Sequence, residues 1–212
     1  MTPGAGAWPE FETALSQLCE AWNATRFVPL LEADVVGYLY HLLLMQSEGD
    51  ASRWHLDTRV RGAEVKDKFD LVFGPISSGE QRRAQLLQRL SDQLSEDQKE
   101  AINSNMLLER LRPAVEPSLI VEVKFFAPGF TPQQQNVHFI HALEDVARLG
   151  TLARACPHGR ASLLVDAESY LEAERRKRLV EARGPQGSDL RLYVCEKPKG
   201  AAAAWHRLEA LA

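Results

Sequence analysis

The chain has 212 residues, 45% of them hydrophobic and 25% charged, and a net charge of −4. These proportions support a globular core and exclude a collagenous, disordered or membrane-spanning chain, since no stretch approaches the roughly 20 apolar residues of a span. The three cysteines, Cys19, Cys156 and Cys195, are odd in number and lack metal-ligand spacing, which argues against a disulfide scaffold or a zinc site. They read as small buried hydrophobes in a reducing, cytoplasmic compartment, and MTPGAGAWPEF has no basic region ahead of an apolar core that would mark a leader. Charge is uneven along the chain. Residues 1–147 hold 13 Lys/Arg against 21 Asp/Glu, a balance of −8, and residues 148–199 hold 11 against 7, a balance of +4. That asymmetry permits one basic face suited to phosphates, although ERRKR at Glu174 to Arg178, taken alone, reads first as the solvated side of a helix.

At this length one domain over 1–212 is expected. Pro9 to about Asn23 reads as a short amphipathic helix and Val28 to about Met45 as a longer, more buried one. WHLDTRVRG from Trp54 and KFDLVFG from Lys68 read as strands, the second closed by Gly-Pro. About 43 residues then separate KFDLVFG from the next strand, SLIVEVKFF at Ser118 to Phe126. Leu86, Leu90 and Leu94 recur at helical spacing, and Ser95-Glu-Asp-Gln98 is a capping box that opens a helix bearing Ile102 and Leu108. A helical insertion at about 76–112 therefore lies between the second and third strands. Its arginines, Arg82, Arg83 and Arg89, suit either a homodimer surface or a DNA-contacting arm.

Thr131-Pro-Gln-Gln134 is an N-cap with proline at the first helical position, opening a helix to about Leu152. RASLLVDA from Arg160 is a fourth strand, Glu168 to Arg183 a charged helix, LRLYVCEK from Leu190 a fifth strand, and Ala201 to Leu211 a closing helix. Strands joined by helical crossovers predict an α/β sandwich with a mixed sheet.

The third strand carries the anomaly. Glu122 and Lys124 interrupt an apolar run and, by strand alternation, share one face, while Val121, Val123 and Phe125 share the other. Burying charge is costly without partners, an ion or an opening to solvent. Two further acid-x-Lys triplets, Glu64-Val-Lys66 and Asp97-Gln-Lys99, fall in polar segments and carry no such cost. Asp70, between Phe69 and Leu71 in the neighbouring strand, is placed like Glu122. Two acids and a lysine on adjacent buried strands suit a divalent cation such as Mg²⁺ (or Mn²⁺), which takes one or two carboxylates with waters and substrate phosphate.

Asp70 in KFDLVFG, Glu122-Val-Lys124 in LIVEVKF, and the order helix, three strands, helix, strand over roughly residues 28–166 resemble the PD-(D/E)XK nuclease superfamily, the restriction-endonuclease-like fold. Phe69 stands where that family often has proline, and the 52 positions from Asp70 to Glu122 are a long gap. The resemblance implies a three-layer α-β-α fold around a central mixed sheet. It implies metal ligation by Asp70 and Glu122, with Lys124 positioning or activating the attacking water. It also implies one more acid from the leading helix, and Glu32 fits that role by sharing a helical face with Val28, Val35, Val36, Leu39 and Leu43. The Val123 carbonyl is placed to complete the coordination, and the metal and burial together would lower the Lys124 pKa. The helix after the Glu-x-Lys strand flanks the active site in that family, which makes Arg148 and Gln134 candidate phosphate contacts. The activity implied is Mg²⁺-dependent hydrolysis of nucleic acid, DNA in the first instance. The alternative is a catalytically inactive member of the fold that binds nucleic acid or protein.

Two histidine readings remain. His138 and His141 lie on one helical face with Asp145 and Arg148, a polar surface more often than a zinc pair. His55 is a proton shuttle or an ordinary strand residue. No P-loop, dinucleotide fingerprint or Gly-x-Ser-x-Gly elbow occurs, which removes nucleotide-dependent and serine-hydrolase chemistry.

Overall fold

The computed structural model describes residues 7–47, 53–60, 68–93, 95, 97–98, 114–156, 159–184 and 189–208. In chain order the elements are α1 (Ala7–Asn23), α2 (Glu32–Gln46), β1 (Trp54–Arg59), β2 (Lys68–Phe73), α3 (Ser78–Asp92), β3 (Leu119–Phe126), α4 (Pro132–Thr151), a 3₁₀ turn (Leu152–Arg154), β4 (Arg160–Asp166), α5 (Ala173–Ala182), β5 (Leu190–Glu196) and β6 (Ala204–Leu208). The six strands form one open sheet in the order β1-β2-β3-β4-β5-β6. Its first two pairings are antiparallel, β3-β4 and β4-β5 are parallel, and β5-β6 is antiparallel. The fold is α/β with a mixed open sheet.

Strand alternation sorts the core into two layers. Leu71, Val121, Val123, Phe125, Leu163 and Tyr193 pack with α1 and α2 residues such as Phe11, Leu18, Val35 and Leu39. Val72, Ile120, Phe126, Leu164 and Val194 pack with Phe139, Val146 and Leu149 of α4 and Leu179 of α5. Helices thus cover both faces, and Glu122 and Lys124, which alternate with Val121, Val123 and Phe125, belong to the α4 side. Buried Arg160 closes the end of α4, its Nη1 donating to the carbonyls of Leu149 (3.1 Å) and Gly150 (3.0 Å).

The insertion leaves and returns through one clamp. Val115 bridges both Val60 and Ile76, and the Ala114 N–H donates to Glu80 of α3 at 3.1 Å. Gly74 makes this close return possible, because a Cβ there would lie 2.0 Å from the Glu116 carbonyl oxygen. The Ser95–Gln98 capping box forms: the Ser95 N–H donates to Gln98 Oε1 at 3.0 Å, and the Gln98 N–H to Ser95 Oγ at 3.3 Å. The helix expected beyond it, with Ile102 and Leu108, lies outside the described residues, as do Leu94 and the Glu64-Val-Lys66 triplet.

Four expectations are corrected. The second helix starts at Glu32, not Val28, because Asp34 Oδ2 accepts the N–H groups of Leu30 (3.0 Å) and Leu31 (2.8 Å) and fixes the helix start there. Val28 is 60% exposed, so it does not share a buried stripe with Glu32. The charged helix begins at Ala173 instead of Glu168, since residues 168–171 turn around Asp166, which accepts the N–H groups of Glu168 and Leu171. The chain end forms β6 in place of a helix. The Ala run suggested helix, but Trp205 to Leu208 pair with β5, and the Trp205 indole donates to Ser16 Oγ of α1 at 3.0 Å. The sheet accordingly has six strands where five were expected.

Candidate functional site

The site begins where the sheet opens. Ladder pairing between β2 and β3 stops at Leu71↔Val121, so Asp70 and Glu122 stand at the point of divergence. On the other side of β2 the β1 pairing skips the Asp57–Asp70 position, and Asp57 takes a positive φ of 43°. Two β3 N–H groups would be left without a strand partner. Carboxylates take them instead: the Val123 N–H donates to Asp70 Oδ2 at 2.7 Å and the Phe125 N–H to Glu32 Oε2 at 3.1 Å. This compensates donors that would otherwise be lost to burial.

Around these acids runs an alternating network. Lys124 Nζ lies 3.3 Å from Glu32 Oε1 and 3.4 Å from Asp145 Oδ2. Arg148 Nη2 donates to Asp145 Oδ1 at 3.2 Å and to Glu122 Oε1, with the guanidinium 5.1 Å above the Phe69 ring. Asp70 and Glu122 are close enough for each to bear on the other's protonation. Glu122 is only 6% exposed. A cavity of about 380 Å³ opens beside the cluster, lined by Glu32, Asp57 and Asp70 together with Gly37 and Leu56.

The charge balance of this network is its chief property. Among the described residues, four carboxyls, Glu32, Asp70, Glu122 and Asp145, are linked with two cations, Lys124 and Arg148, an excess of two negative charges when all are ionised. The acids respond accordingly. Burial, then Asp70, push the Glu122 pKa well above its ordinary value against the pull of Arg148. Burial raises Asp70 and Glu32 as well, opposed by their backbone donors and by Lys124. For Lys124, burial acts to lower the pKa, but Glu32 and Asp145 outweigh it, and the amine is held above its ordinary value. The lowered lysine pKa expected with a metal alongside is therefore not the balance of the protein's own groups: they keep Lys124 protonated.

Glu32, Asp70, Glu122 and Lys124 converge as the sequence suggested. Glu32 reaches β3 from the first helical residue rather than from an apolar stripe. Arg148 joins the same cluster, paired with Glu122 and Asp145. Gln134 is engaged at the start of its own helix, where Oε1 accepts from the Thr131 N–H at 2.9 Å and the Thr131 Oγ1 at 3.0 Å. His55 Nε2 is hydrogen-bonded to the Gly74 carbonyl at 3.0 Å, and His138 packs on Phe130 with ring centres 4.7 Å apart. Asp145 was the residue missed. Its signal was the buried stripe Phe139, Ala142, Val146 and Leu149, whose border it occupies with Arg148.

Does a dication fit? Among the described residues no three His, Cys, Asp or Glu side chains form a ligand set. A structural-zinc type of cage is thus not what the cluster offers. The adjoining Asp70 and Glu122 carboxyls are two hard oxygen donors, with the Val123 backbone on the same strand edge. That is the sparse protein contribution typical of Mg²⁺, which keeps several waters. The donor chemistry and the surplus of negative charge fit such an ion. No protein-family model, curated protein or solved structure matches this chain.

Proposed function

We propose that this chain is a Mg²⁺- or Mn²⁺-dependent nuclease of the PD-(D/E)XK type, acting on DNA, with a restriction-endonuclease-like core. The observation that carries the reading is the convergence of four carboxyls on two cations at the β2-β3 opening, an excess of two negative charges when all are ionised, which one divalent ion would remove. The antiparallel-then-parallel run β1-β2-β3-β4, with α2 ahead of it and α4 after β3, supports the fold assignment.

In this reading Asp70, Glu122 and the Val123 carbonyl hold the ion. When bound it supplies Lewis acidity toward a phosphodiester and makes a coordinated water more acidic. Lys124 acts as an ammonium, its N–H donors orienting the attacking water and its charge countering the anionic transition state. Glu32 fixes Lys124 and the β3 edge. Arg148 carries the planar fork that matches phosphate oxygens, in competition with its pairing to Glu122 and Asp145.

One observation favours a second reading, a non-catalytic member of the fold. Arg148 already pairs with Glu122, and Asp70 and Glu32 already satisfy β3 donors, so the network also serves as a structural closure of the sheet. Plasmid nicking with and without Mg²⁺, comparing wild type with Lys124→Ala, separates the two. Metal-dependent nicking, lost in the variant with its melting transition retained, supports the nuclease. Equal cleavage by both would show the lysine assignment to be wrong. DNA binding with neither cleavage nor divalent-ion binding supports the second reading.

A further inference from the structure

We propose that Cys19 and Cys195 form a redox-modification site that closes to an intramolecular disulfide, joining α1 to β5. The two residues are 176 positions apart in sequence, yet their sulfurs lie 3.0 Å apart inside the core layer between α1 and the sheet. That is closer than ordinary non-bonded contact, about 3.5 Å or more, and roughly 1 Å beyond a disulfide bond. Bond formation therefore needs the two sulfurs to close by only about 1 Å.

The surroundings hold the pair in register. Tyr193 Oη, two residues before Cys195, donates to Glu12 of α1 at 2.6 Å, and the Trp205 indole of β6 donates to Ser16 at 3.0 Å. At the end of α1, Asn23 Nδ2 donates to the Ala203 carbonyl at 3.0 Å. The helix is thereby tied to the sheet before, beside and after Cys19. Cys156 is segregated from the pair: it lies in the opposite core layer, its thiol donating to the Gly159 carbonyl at 3.0 Å.

The chemistry is a two-electron oxidation by a peroxide. Cys19 gives up its proton and the thiolate attacks one peroxide oxygen, the O–O bond breaks, Cys19 becomes a sulfenic acid, and the other oxygen leaves as hydroxide that takes up the released proton as water. The Cys195 sulfur then displaces the hydroxyl from Cys19 sulfur, forming the S–S bond. The Cys195 proton leaves with that hydroxyl as the second water, so two thiols and one peroxide yield one disulfide and two waters. Cys19 is the first to react because it is 6% exposed where Cys195 is fully buried. The contact with Cys195 also lowers the Cys19 thiol pKa, while the same contact and burial push Cys195 up. The inference is independent of the nuclease reading.

The test is exposure of the folded, fully reduced chain to hydrogen peroxide, followed by thiol counting after unfolding and by mass spectrometry of peptides. Accessible thiols should fall from three to one, the mass should drop by about 2 Da, and a peptide pair containing Cys19 and Cys195 should appear, all reversed by a dithiol reductant. The cross-linked form should melt at least about 5 °C higher, since a long loop is closed. Cys156→Ser should cross-link as the wild type does, and Cys19→Ser and Cys195→Ser should not. Three thiols persisting, products heavier by one or two oxygens without a cross-link, or a linkage through Cys156 would each overturn the proposal.

Discussion

Replacing Arg148 with methionine isolates the ion pair at the centre of the site. Methionine keeps an unbranched, apolar side chain and removes the guanidinium, together with its position over the Phe69 ring. Glu122 is then left without its arginine, 6% exposed and beside Asp70. Breaking a buried pair costs about 3–5 kcal/mol, but the Arg148 side chain is 34% exposed, so the cost is placed at about 2 kcal/mol at pH 8. For a chain of this size that lowers the melting temperature by roughly 4–8 °C. The loss should depend on pH in a definite sense. The Glu122 pKa is already raised by burial and Asp70 and rises further without Arg148. A raised carboxyl contributes stability that is present below the unfolded pKa, about 4.3, and is lost as pH rises through the folded value. As pH falls through the folded value the orphaned carboxyl takes a proton, and the deficit should shrink. Urea unfolding of wild type, Arg148→Met, Glu122→Gln and the double variant at pH 5 and pH 8 gives the coupling energy directly. A coupling below about 0.5 kcal/mol, or a deficit equal at pH 5 and pH 8, would refute the electrostatic account of the cluster.

Other consequences follow from the same structure. Asp70→Asn keeps an oxygen for the Val123 N–H while removing one negative charge, so the variant should be more stable than wild type by about 1 kcal/mol at pH 8. The advantage should vanish near pH 4, where the native carboxyls bind protons; denaturation at the two pH values checks the sign. Gly159→Ala should destabilise the fold by more than about 3 kcal/mol, since its Cβ would lie 2.0 Å from the Ser118 carbonyl oxygen, measured by the shift in urea midpoint. Lys124→Ala should lose nicking at least about 100-fold, read from initial rates on plasmid at fixed Mg²⁺.

The sequence was most informative where burial and charge conflict. Glu122 and Lys124 were costly in an apolar strand, and that cost drew attention to them and to Asp70, while Glu32 and Arg148 followed from the family resemblance. The α/β character also followed from periodicity, because β3, β4 and β5 are long apolar strands joined by helical crossovers. What periodicity does not carry is tertiary pairing. The run from Ala201 has high helix propensity, yet its last residues gain more as an edge strand against β5, with Trp205 anchored on α1. Spacing put Asp145 on the same helical face as Arg148, but its role depends on which border of the α4 stripe turns toward Lys124, a matter of helix rotation on the sheet. The start of α2 was displaced because Asp34 caps backwards onto Leu30 and Leu31, a local bond that outweighed the hydrophobic reading of Val28.

The central claim, that Asp70 and Glu122 accept a divalent ion, is tested most directly by calorimetric titration of Mn²⁺ into wild type and Asp70→Asn. One ion should bind the wild-type chain at pH 8, and the variant should bind at least about tenfold more weakly. Absence of binding to the wild type, or equal affinity in both proteins, would contradict it.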